Sequence, residues 1–136
     1  MNQSGLKQAH PVGRASLPTA AQRWLDRALP QAFDLPSRVE IEQEGSMEIR
    51  GAWTPFTARG TYQAAPLAFN WRARLRIATG AWIVADDGHR AGRGWGRARL
   101  WGVIPLGTRT DPEVLQTQLV RNLAELAWLP PFVLAD

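Results

Sequence analysis

Phe69-Asn70-Trp71-Arg72-Ala73-Arg74-Leu75-Arg76-Ile77-Ala78 is the stretch on which the fold turns. Phe69, Trp71, Ala73, Leu75 and Ile77 occupy every second position, and Arg72, Arg74 and Arg76 stand between them. Side chains alternate across a strand, so this period sets an apolar row against a core and a row of guanidinium groups toward solvent.

The same period extends in both directions. Upstream, Val39 and Ile41 alternate with Arg38, Glu40, Glu42 and Glu44. Gly45-Ser46 reads as a bulge, after which Met47 and Ile49 resume the row. Gly51 turns the chain into a strand over residues 52–62, which Pro55 marks as bulged or at an edge. Ala64-Ala65-Pro66 connects it to Phe69–Ala78. Downstream, Thr79-Gly80 turns into a short strand, Trp82–Ala85, and Asp86-Asp87-Gly88 reads as another turn. Gly94–Ile104 reads as the last strand, ended by Pro105 and Gly107.

Helical spacing flanks this β-rich middle. Ala21, Trp24, Leu25, Ala28 and Leu29 predict a helix from Thr19, its cap, to Leu29, before Pro30. Asp111 as cap, Pro112 in the first position and Glu113 in the first turn open a second helix. Leu115, Leu119, Leu123 and Leu126 keep four- and three-residue spacing along it, and Leu129-Pro130-Pro131 ends it. Trp24 and Trp128 read as core. Residues 1–16 read as a flexible N-terminal arm, and residues 17–136 as one domain. The fold class is α+β, an antiparallel meander of about five strands with an N-terminal and a C-terminal helix.

Composition narrows the chemistry. The chain has 136 residues, an ordinary size for one core. It has no cysteine, which excludes disulfides, thiolate metal sites and a cysteine nucleophile, and only His10 and His89 as imidazoles. No cofactor or metal is implied. No window approaches a membrane-spanning length, and the opening residues lack the apolar run of a signal peptide, so the cytoplasm is the expected compartment.

Fifteen of the sixteen basic residues are arginine, and the net charge is +4. The charge is segregated: residues 33–48 sum to −4 and residues 72–99 to +5. If the two rows share one sheet face, they partly compensate as exposed ion pairs, each worth about 0–1 kcal/mol. On Gly94–Ile104, Arg93, Trp95, Arg97, Arg99, Trp101 and Val103 share one parity, while Gly94, Gly96, Ala98, Leu100, Gly102 and Ile104 make a nearly smooth opposite face. Such a face admits the close approach of a helix. Guanidinium groups stack on indoles, so the Arg–Trp face is either self-satisfied or a groove for an amphipathic or acidic ligand.

Catalytic patterns are weak. Asp86-Asp87-Gly88-His89 resembles turn chemistry more than an acid–base cluster, and Ser16, Ser37 and Ser46 sit in no nucleophile context. Gly92-Arg93-Gly94-Trp95-Gly96 opens a strand rather than a helix, so a phosphate loop is not implied. Nucleic acid is disfavoured by the modest net charge and the absence of a recognition motif.

Four segments together resemble an uncharacterised bacterial domain-of-unknown-function family. They are Leu17-Pro18 with Gln22-Arg23-Trp24-Leu25, then Trp53-Thr54-Pro55-Phe56-Thr57-Ala58, then Phe69-Asn70-Trp71-Arg72-Ala73-Arg74, then Glu125-Leu126-Ala127-Trp128-Leu129-Pro130. The resemblance implies no catalytic residues. It does imply longer relatives with a second β-rich portion, so this chain would be a short member or a half whose open sheet self-association would cover.

The functional expectation is non-catalytic binding of an amphipathic or anionic small molecule, lipid-like in character. Arg72, Arg74, Arg76, Arg97 and Arg99 would hold its head, with Trp95 and Trp101 as walls. The alternative is a protein-interaction module, such as a homodimer, with no small-molecule ligand.

Overall fold

The computed structural model describes residues 14–29 and 36–134. Most of the expected N-terminal arm and of the connection after Pro30 lies outside the described residues. Arg14–Ser16, placed in that arm by sequence, form a 3-10 turn. Helix α1 spans Thr19–Ala28. Pro18, not Thr19, holds the cap position, and no side chain caps the helix. Leu29 is extended, as a residue preceding proline should be.

Six strands follow in simple antiparallel order: β1 (Arg38–Ile49), β2 (Ala52–Gln63), β3 (Ala68–Ala78), β4 (Ala81–Arg90), β5 (Arg93–Leu100) and β6 (Ile104–Arg109). The meander is as expected, with one strand more than the sequence suggested. The expected strand Gly94–Ile104 is two, because Trp101 and Gly102 take φ of 53° and 80° and the Val103 N–H donates to the Leu100 carbonyl at 3.1 Å. Positive φ at both central residues gives the tight turn whose twist matches a hairpin. The alternation of small and large residues runs through this turn and disguises it.

A second correction concerns Asp86-Asp87-Gly88. These residues do not turn; β4 continues through them, with Asp86 opposite both Arg72 on β3 and Arg97 on β5. The reversal comes at Ala91-Gly92, again with positive φ at both. Pairing on both flanks overrides the local turn preference of Asp-Gly. Gly45-Ser46 forms no bulge either, since they pair one-for-one with Phe56 and Pro55. The register shifts fall at Arg76/Ala78 and Ala98/Arg99. Pro55 sits in an inner strand at a locally free edge: β2 meets β3 only from Phe56 onward, so the missing N–H costs no bond to β3.

One sheet face carries the core. Tyr62, Phe69, Trp71, Ala73 and Leu75 pack with Leu129, which joins the two C-terminal 3-10 turns, and with Phe132 in the second of them. Helix α2 (Pro112–Glu125) lies across β5 and β4 on the same face. Its start is as the sequence indicates: the Val114 N–H donates to Asp111 Oδ1 at 3.2 Å, with Pro112 inside the first turn. The smooth face of β5 does admit a helix, because a Cβ on Gly94 would lie 2.5 Å from the Leu115 Cα.

The buried stripe of α2 is not the leucine stripe. Val114, Gln118 and Asn122 face inward, Leu115, Leu119 and Leu126 are half-buried, and Leu123 is exposed. Trp128 is 75% exposed and Trp24 half-buried, so neither is a core residue, whereas Trp71 is.

Candidate functional site

Residues directly opposite in an antiparallel ladder share a face, so the register defines the face opposite α2. One row reads Glu42, Arg59, Arg72, Asp86, Arg97, Thr108 from β1 to β6. The next reads Glu44, Thr57, Arg74, Val84, Arg99, Pro105. Arg76, opposite Trp82, lies one step further along β3. The structure therefore brings Arg72, Arg74, Arg76, Trp95, Arg97 and Arg99 onto one face, and all five arginines are exposed.

Trp101 is the exception. It lies in the β5–β6 turn, where its indole N–H donates to the Gly80 carbonyl at 2.9 Å. It braces two turns rather than walling the face. Trp82 takes that place: the Arg74 guanidinium lies 4.0 Å from its ring centroid. The sequence hid Trp82 because the apparent turn at Asp86-Asp87-Gly88 broke the β4 alternation that Trp82, Val84, Asp86 and Gly88 complete.

Trp95 is held firmly. Its Nε1–H donates to Asp86 Oδ1 at 2.6 Å, and its ring covers Gly88, where a Cβ would stand 2.7 Å from Cζ2. Arg97 lies over the same ring at 6.0 Å. Asp86 also accepts from Asn70 Nδ2 at 3.4 Å.

The glutamate row compensates less than its shared face suggests. Arg59 on β2 takes Glu42 at 2.7 Å, and Arg38 takes Glu40 within β1. Among the described residues, Arg72, Arg74, Arg76, Arg97 and Arg99 form no ion pair. Arg72 and Arg97 flank Asp86, while Arg74 and Arg99 flank only Val84. The least compensated positive charge thus lies around Arg74, Arg76 and Arg99. A shallow open depression of ≈ 820 Å³ lies on the β1 side of Arg74, lined by Glu42 and Glu44 as well as Arg59, Arg72, Trp82 and Val84; it does not reach Arg76 or Arg99.

Asp86, Asp87 and His89 do not gather into one cluster. Strand parity sends Asp86 to the arginine face and Asp87 and His89 to the helix face. His89 is 2% exposed and its Nε2 meets Asn122 Nδ2 at 2.9 Å. Burial holds its imidazole below the ordinary range, favouring the neutral ring. Burial raises the Asp87 carboxyl, against the pull of Arg121 at 3.6 Å.

Arg121 anchors a polar cluster that sequence reasoning missed. It donates to Glu125 at 2.9 Å and lies over the Trp71 and Phe69 rings at 4.6 and 5.1 Å. Glu125 accepts from the Tyr62 hydroxyl, whose deprotonation is opposed first by burial and then by that bond. These groups satisfy one another and fasten α2 to the sheet. Among the described residues no set of His, Asp and Glu is grouped to hold a metal ion, and no helix is long and apolar enough to cross a membrane.

A model of a family of unknown function, DUF6544, matches residues 10–136, in keeping with the resemblance to an uncharacterised family. No curated protein and no solved structure matches the chain.

Proposed function

We propose a role read from the molecule's own surface, because the chain belongs to the DUF6544 family, whose function is unknown: non-catalytic binding of an amphipathic anion, lipid-like in character, on the Arg–Trp face. The observation that carries this reading is the pair Arg74 and Arg99. They stand on either side of Val84 with no carboxylate opposite them on β4 and no ion pair. Their backbones are two strands apart, about 9–10 Å, so both side chains can converge on one phosphate or carboxylate between them. Arg76 adds charge at the same end, Arg72 and Arg97 contribute at the Asp86 end, and Trp82, Val84 and Trp95 offer apolar surface beside the head. In this reading the protein works in the cytoplasm.

Thermal shift and tryptophan fluorescence with dodecyl phosphate, kept below its micelle concentration, test the reading. Charge-assisted hydrogen bonds contribute about 1.5–3 kcal/mol each, so Arg74→Gln with Arg99→Gln should weaken binding by about tenfold or more. An equal response from wild type and the double variant would remove the site. An equal response to inorganic phosphate would remove the apolar half of the ligand.

A second reading, a self-association module, is favoured by the outer face of α2, where Val120 and Leu123 are exposed, and by Trp128, exposed in the 3-10 turn that follows. A sizing experiment on the wild type and Leu123→Ser separates a dimer through this face from a monomer.

A further inference from the structure

In an antiparallel meander alternate turns fall at the same end of the sheet. The turns joining β1 to β2, β3 to β4 and β5 to β6 therefore share one end. Two hydrogen bonds tie the latter pair together: the Trp101 N–H reaches the Trp82 carbonyl at 2.9 Å, and the Trp101 indole reaches Gly80. The β1–β2 hairpin ends as a two-stranded arm, because Ala52–Pro55 pair only with Ser46–Ile49.

This end is apolar and uncovered. Trp53 on the arm and Val103 in the β5–β6 turn are each 72% exposed, and Ile77, Trp101 and Ile104 are exposed at the same end of the sheet. The core runs up to this end on one face, where Met47 and Ile49 pack against it, but its most buried part lies around Tyr62 and Phe69 and leaves these tips outside. Beyond the row that joins Gly45 to Leu100 the charged residues are Arg50 and Arg76 against Glu48, a small positive excess.

Two features point to a lipid surface as the occupant. Indoles combined with aliphatic tips and arginine suit the headgroup layer, where one end of the side chain is apolar and the other wet. The apolar residues sit on tips of unequal reach, since β1 and β3 continue to Ile49 and Ala78 past the row Gly45–Phe56–Leu75–Ile83–Leu100 while β5 turns there. A stepped rim offers a folded partner little continuous area, but the fluid headgroup layer adapts to it. We propose that this hairpin end docks peripherally on an anionic bilayer, seating Trp53, Trp101 and Val103 among the headgroups. The inference shares only Arg76 with the ligand reading, which concerns a face of the sheet and a single soluble molecule.

Co-sedimentation of the full chain with phosphatidylcholine vesicles, with and without phosphatidylglycerol, tests it. Wild type should sediment with the anionic vesicles, less so as salt rises. Trp53→Ser with Val103→Ser should lower the partition about tenfold while leaving thermal unfolding at the wild-type temperature. Arg50→Asn, tolerated at its positive φ of 51°, should lower it about fivefold on anionic vesicles only. No wild-type sedimentation, or an unchanged partition in the double variant, would overturn the proposal. So would a wild-type dimer that the double variant dissolves without any vesicle binding. Dodecyl phosphate binding is measured without vesicles, so the two readings fail independently.

Discussion

Gly94→Ala tests the central packing decision of the fold, the seating of α2 on β5. A Cβ at Gly94 would lie 2.5 Å from the Leu115 Cα and 2.6 Å from its backbone nitrogen. Neither atom can rotate aside, so α2 must lift by roughly 1 Å or more to restore an ordinary carbon contact of about 3.5–4.0 Å. Overpacking of this kind costs about 1–3 kcal/mol. Alanine in a strand is itself about 0.5–1 kcal/mol better than glycine, because the unfolded chain is less free. The net expectation is a loss of about 1–2 kcal/mol, or about 3–8 °C in Tm for a chain of this length. Gly107→Ala on β6 is the control: it lies on the same face, and a Cβ there meets nothing within 4 Å. It should be neutral or slightly stabilising. Denaturant and thermal melts of both variants decide the matter. A Gly94→Ala protein as stable as wild type would refute the close seating of α2.

Asp111→Ala removes the side chain that caps Val114 and should cost about 1 kcal/mol, whereas Asp111→Asn should retain most of it; denaturant midpoints separate the two. Lowering the pH should destabilise the fold through His89. Its folded pKa lies below the ordinary 6.5, so within that window the unfolded chain takes up a proton that the folded chain refuses. Stability is therefore lost as pH falls from about 6.5, and His89→Gln should flatten that part of the pH–stability profile. Asp87, raised by burial, acts with the opposite sign at lower pH. Gln118→Leu should stabilise by about 1 kcal/mol in thermal melts, because Gln118 Oε1 is buried with no hydrogen-bond partner among the described residues.

The sheet was legible where one residue type marked each face. Phe69 to Ala78 alternates so strictly that the sequence alone assigns Arg72, Arg74 and Arg76 to one side, and the register agrees. The β4 segment failed for an identifiable reason. Asp86-Asp87-Gly88 has turn composition, and only pairing with β3 and β5, which no local window contains, holds it extended. Ending that strand at Ala85 also left Trp82, the ring closest to a guanidinium on that face, without an assigned side. Trp101 failed in the opposite way: the alternation continues through a turn, so parity assigned a side to a residue that has left the ladder.

The inverted burial of α2 follows from what lies beneath it. A helix on an apolar sheet would turn its leucines inward, but β4 and β5 present Asp87, His89, Gly94 and Gly96 to α2. His89 needs a polar partner when buried, and Asn122 provides it; Asp87 needs a cation, and Arg121 provides it. Those two demands fix the rotation of the helix, and the glycines let it sit low enough to meet them. Leu123 is then carried to the outside along with Val120. Leucine periodicity detected the helix correctly but not its orientation, because a leucine stripe records which face is apolar, not which face the sheet requires. The exposed apolar strip on α2 is thus a consequence of satisfying His89 and Asp87. A variant that removed both demands, His89→Leu with Asp87→Ala, should free α2 to rotate toward its leucines. Hydrogen exchange would register that as lost protection at Asn122 and gained protection at Leu123. Unchanged protection at both would mean that the glycine floor alone sets the helix orientation.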